Sequence, residues 1–109
     1  MASEMREPTF LVLTALADGP RHGYGVIREV ERLSGGTTRL RAGTLYAAFD
    51  RLTDDGLIEV DGEEVIDGRL RRYYRLTEAG GAVLEAESRR RVNISKEALR
   101  RLRLAGGYA

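Results

Sequence analysis

The amino-acid sequence predicts a mainly α fold with one small β-hairpin and a long final helix. Apolar residues recur at helical spacing up to about residue 55, alternate over 57–76, and return to a sparse helical stripe after Thr77. One domain accommodates all of this: the chain has 109 residues, 42% of them hydrophobic and 32% charged. Aromatic residues make up only 6% and tryptophan is absent, so a core of this size buries limited area and stability is expected to draw on a subunit interface.

A first helix is predicted over Pro8 to Ala17, with proline at its first turn and Asp18-Gly19-Pro20 as its stop. Phe10, Leu11, Val12, Leu13 and Leu16 make it apolar around nearly its whole circumference, so it must be covered on more than one side. Gly23 to Leu33 is the second helix, its apolar stripe built from Tyr24, Val26, Ile27, Val30 and Leu33. The third runs from Gly43 to Asp55, with Leu45, Phe49 and Leu52 inward and Gly56 placed for a left-handed closing residue. Short strands are expected at Leu57 to Val60 and Arg69 to Leu76, with turn signals at Asp61-Gly62 and Asp67-Gly68. Thr77 caps the last helix, whose apolar positions are Leu84, Val92, Leu99 and Leu102, and Gly106 to Ala109 is expected to fray.

Several classes of chemistry are excluded early. Without cysteine there is no disulfide, thiolate metal site or thiol switch, and the single histidine, His22, leaves no triad or metal cluster. His22 reads as a helix-start or packing residue, and Gly23 with Gly25 does not complete a dinucleotide fingerprint because no strand precedes them. No apolar run is long enough to span a bilayer and Met1 to Arg6 is polar, so a cytoplasmic protein with no membrane partner, no cofactor and no enzymatic activity is expected. Net charge is only +1, yet it is unevenly spread: residues 77–109 carry seven basic against four acidic side chains. Of the 18 basic residues, Lys96 alone is not arginine, a bias that coding composition explains as readily as phosphate binding.

Three helices, a hairpin and an added helix form the layout of a winged helix-turn-helix, with residues 1–77 as the DNA-binding domain and 78–109 as a dimerisation helix in one compact unit. In that layout the third helix offers Thr44, Ala47, Ala48 and Arg51 outward, with Gly43 at its N-terminus, Tyr46 at its flank and Arg39 and Arg41 just before it. Small residues allow close approach to base edges, while hydroxyls, arginines and the helix N-terminus suit phosphate. The residues alone also allow core packing for Tyr46, capping for Thr44 and pairing of Arg51 with Asp54 or Asp55. On the hairpin, Arg69, Arg71 and Arg72 lie among aromatic residues, but Asp61, Glu63, Glu64 and Asp67 surround them, so a salt-bridged surface stands beside DNA contact. Alternation predicts that Leu70, Tyr74 and Leu76 pack together.

Three motifs carry a family resemblance. His22-Gly23-Tyr24-Gly25, the run from Gly43 to Leu52 followed by Gly56-Leu57-Ile58, and Arg72 to Gly80 resemble corresponding segments of the PadR family of bacterial transcriptional regulators, particularly members with a single C-terminal helix. Ala47 and Leu70 stand where the family usually has proline, and Arg41 where a capping serine is common. The resemblance implies a homodimeric repressor of a pseudo-palindromic double-stranded operator, with DNA contact at Thr44, Tyr46, Arg69 and Arg72 and a small hydrophobic effector as an optional further partner. Phe10, Leu11, Leu84, Val92, Leu99 and Leu102 are the expected dimer contacts. The alternative is a winged-helix protein-interaction module without specific DNA binding.

Overall fold

The computed structural model describes residues 5–104 and 106. The expectations for the first four residues and for Gly107 to Ala109 lie outside them. Four helices and three strands follow in order: α1 (Glu7–Ala15), β1 (Arg21–His22), α2 (Gly23–Leu33), α3 (Ala42–Asp54), β2 (Ile58–Ile66), β3 (Arg69–Leu76) and α4 (Glu78–Leu104). The strands form one antiparallel sheet in the order β1, β3, β2.

The first helix is covered by its own chain. Leu11, Val12, Leu13 and Ala15 are buried, with α2 on one side and α4 on another. Val26 and Val30 of α2, Leu45, Phe49 and Leu52 of α3, and Ile58 and Tyr74 of the sheet complete the core. Phe49 is its centre: its ring lies 4.2 Å from that of Tyr74, and its burial is worth about 1.5–3 kcal/mol. Tyr24 and Leu33, expected in the stripe of α2, are exposed at the two ends of the helix.

The hairpin differs most from expectation. Asp61-Gly62 is no turn; the register shifts between Val60 and Gly62, a bulge that lets β2 continue to Ile66. Asp67-Gly68 makes the turn, with φ of 53° and 76° at its two residues. The long hairpin therefore overhangs the body, and only its base meets the core. Tyr74 is buried and Leu76 packs partly, but Leu70 is 61% exposed opposite Val65.

Thr77 closes the sheet onto α4. Its hydroxyl donates to Gly56 O at 2.6 Å and accepts from Gly80 N at 3.0 Å. Farther along α4, Arg91 donates to the Met5 carbonyl at 3.0 Å, pairs with Glu87 at 2.7 Å, and lies 4.3 Å from the Phe10 ring centre. Beyond Arg91 the helix projects, and Val92, Ile94, Leu99, Leu102 and Leu104 are exposed. Of the expected dimer contacts, Leu11 lies in the core, Leu84 packs against it and Phe10 is half-covered by Arg91, whereas Val92, Leu99 and Leu102 stand clear. The helical spacing of Leu11 and Leu84 could not distinguish a neighbour in the same chain from one in a second. No helix among the described residues is long and apolar enough to cross a membrane.

Candidate nucleic-acid interface

The third helix turns its apolar side inward because Leu45, Phe49 and Leu52 recur at four and three residues, so Gly43, Thr44 and Ala47 face out and are exposed. Its N-cap is Arg41, which gives no side-chain hydrogen bond to the helix, so amides of the first turn lack a side-chain acceptor. Thr44 is therefore not its cap. An exposed helix N-terminus next to an arginine suits an anionic oxygen.

Tyr46 is 51% exposed, with its ring edge-on to Phe49 at 5.9 Å. It forms one wall of a cleft of about 530 Å³ between the start of α2 and the hairpin. His22, Gly23 and Tyr24 line the floor, and Arg69, Leu70, Arg71 and Arg72 the far side. Arg51 bonds neither Asp54 nor Asp55: its guanidinium donates to the Thr9 hydroxyl at 2.9 Å, tying α3 to the first turn of α1. Its exposed position borders a second groove, of about 510 Å³, with Arg6, Gly43, Thr44 and Ala47.

The hairpin arginines divide into two sets. Arg72 pairs with Glu63 at 3.1 Å, and Arg75 with Glu59 at 2.9 Å and Asp61 at 3.3 Å. Among the described residues, Arg69 and Arg71 pair with no carboxylate, and both open into the cleft. The acids thus pair with one set of the hairpin arginines, while Arg69 and Arg71 share the cleft with Asp67 without an ion pair between them among the described residues.

His22 caps α2, its Nδ1 accepting from Gly25 N at 3.1 Å. Burial, then the nearby Arg71, hold its imidazole below the usual range, against the opposing effect of Glu64. That direction favours the neutral ring, the form in which Nδ1 can accept. An edge-on contact with Tyr73, at 5.4 Å, fixes the ring from the sheet side.

A family model described as the transcriptional regulator PadR-like family matches residues 12–86. The chain belongs to this family. The matched segment runs from α1 through the sheet into the start of α4, so the PadR-like core contains the whole of α3 and the hairpin while the projecting part of α4 lies beyond it. PadR-like proteins are transcriptional regulators, not enzymes. Among relatives, the transcriptional regulator Rv3488 of Mycobacterium tuberculosis is 39% identical over 88 residues, covering 81% of this chain and 78% of its own. A PadR family transcriptional regulator from Eggerthella lenta superposes with a TM-score of 0.66 at 27% identity, covering 87% and 80% of the two chains. Bacillus subtilis PadR, in a crystal structure with operator DNA, shares the fold with a TM-score of 0.66 at 22% identity, covering 74% of this chain and 46% of that one.

Sequence reasoning named α3 and the hairpin arginines but missed Gly23 and Tyr24 as cleft residues. They stand out locally only as part of the His22-Gly23-Tyr24-Gly25 motif, and their place in the cleft exists only once α2, α3 and β3 converge.

Proposed function

We propose that this PadR-like regulator is a homodimeric, sequence-specific DNA-binding repressor that acts in the cytoplasm on a pseudo-palindromic operator. The observation that carries the reading is the exposed first turn of α3, uncapped by any side chain among the described residues, beside a cleft into which Arg69 and Arg71 open without carboxylate partners among those residues. Thr44 and Tyr46 read or position the duplex from the helix, Arg41 and Arg51 hold phosphates at its two ends, and Arg69 and Arg71 hold the backbone alongside. Arg72, already committed to Glu63, contributes less. Val92, Leu99 and Leu102 on the projecting helix supply the contact with a second copy. The operator-bound state of Bacillus subtilis PadR supports the choice of DNA as the partner.

Ion pairing within the hairpin favours a second reading, a winged-helix protein-interaction module without specific DNA binding. Fluorescence anisotropy separates the two, using a duplex from upstream of the protein's own gene and a scrambled duplex as competitor. The repressor reading expects preference for the upstream duplex, and at least a tenfold loss for Thr44→Ala with Tyr46→Ala, the scale of about 1.4 kcal/mol or more in base and backbone contacts. Equal binding to both duplexes favours the interaction module. Parental affinity in the double variant overturns the role given to α3.

A further inference from the structure

We propose that Gly23 is a positioning residue for Tyr46: the missing side chain at the start of α2 is what seats the tyrosine in the wall of the cleft. Gly23 is buried, and a Cβ built on it would stand 2.7 Å from the Tyr46 hydroxyl oxygen, 3.0 Å from Cζ and 3.3 Å from Cε1. The end of the phenol therefore occupies the space that any side chain at residue 23 would take. Backbone geometry does not explain the glycine, since Gly23 is not among the residues with positive φ. Close approach of a ring does.

Two further contacts make the seat specific. Phe49 holds the Tyr46 ring edge-on from within the core, so the ring has one supporting surface below and Gly23 at its tip. His22 fixes Gly23 itself by capping Gly25 and pairing with Tyr73 across the sheet. Gly25, two residues on, meets no such constraint from α3; its nearest neighbours are His22 and Arg21. Within His22-Gly23-Tyr24-Gly25, only the first glycine is thus coupled to the third helix. Because the obstructing atoms are the far end of a movable side chain, a methyl at residue 23 displaces Tyr46 and leaves the fold intact.

This inference rests on the DNA-binding reading, and a double-mutant cycle tests it separately. The probe is the duplex that the parent protein enriches most from a randomised pool, with affinities measured for the parent, Gly23→Ala, Tyr46→Ala and the double variant. Thermal unfolding accompanies each measurement. Expected is at least a fivefold loss for Gly23→Ala, with Gly23→Ala causing less than a twofold further loss when Tyr46 is already alanine. Gly25→Ala serves as the comparison and stays near parental affinity. A parental affinity for Gly23→Ala, or the same loss in both Tyr46 backgrounds, overturns the positioning role while leaving DNA binding in place. A parent that enriches no duplex overturns the DNA reading itself.

Discussion

Arg69 and Arg75 lie on the same strand six residues apart and have different surroundings. Arg75 is enclosed by Glu59 and Asp61, whereas Arg69 opens into the cleft with no carboxylate partner among the described residues. A cation already paired gains little by meeting phosphate, because it must first give up its partner. Arg69→Ala is therefore expected to weaken duplex binding and lower the slope of log affinity against log salt by about 1, the loss of one phosphate contact. Arg75→Ala is expected to leave that slope unchanged. Titrating both variants at several salt concentrations checks the pair; an equal change in slope contradicts the division of the hairpin. Four arginines and five acids spread over residues 59–75, read as sequence, cannot be sorted this way. The partners are set by strand register, and the bulge at Val60 to Gly62 shifts that register.

Among the elements, α4 depends on one close approach at its start and on ion pairs along its length. A Cβ at Gly80 would collide with the Leu57 carbonyl oxygen, a backbone atom that cannot swing aside. At Gly81, a Cβ would meet nothing within 4 Å. Gly80→Ala is expected to cost about 3 kcal/mol of stability as overpacking, while Gly81→Ala gains up to about 1 kcal/mol from helix propensity. Urea unfolding of the two variants measures the contrast. Farther along, hydrogen bonds from Arg90 and Arg91 hold the Glu87 carboxyl at about 2, down from 4.5. A carboxylate with a depressed pKa adds stability that is fully present above 4.5 and is lost as pH falls toward about 2. Urea midpoints should therefore show Glu87→Gln less stable than the parent near neutrality, with the gap closing through that window.

The same elements show what was legible in advance. Helices α2 and α3 announce themselves because three or four apolar residues repeat at one spacing, and Gly56 closes α3 with φ of 75°. Strand β1 has only two residues and exists by pairing with Tyr73 and Tyr74, about fifty residues away, so no local pattern could reveal it. Alternation assigned Leu70 to the face it shares with Tyr74, but whether that face is covered depends on how far the hairpin overhangs. The α3 surface was readable for a similar reason: once the buried residues are known, the outward ones follow. The cleft was not, since its walls come from three separate elements.

At the scale of the whole molecule, the axial extents of 60 × 31 × 22 Å describe a rounded body with a protruding rod. The buried core belongs to the body, and the rod carries a run of exposed apolar residues, Val92, Ile94, Leu99, Leu102 and Leu104. Light scattering is expected to give twice the chain mass of 12.1 kDa, and Leu99→Glu with Leu102→Glu to return the single mass. A parent of single mass at micromolar concentration contradicts the dimer.

The attachment at Arg91 also has a mechanical side. Thirteen residues lie between it and the described end of α4, a lever arm of about 20 Å at 1.5 Å per residue. A pivot of about 10° there moves the tip by roughly 3.5 Å on that rise. In the proposed pair joined through the rods, such a swing would alter the distance between the two α3 helices, which on the proposed reading matches a duplex repeat of about 34 Å. Met5, Glu87 and Phe10, by gripping one guanidinium, would set the stiffness of that proposed spacing.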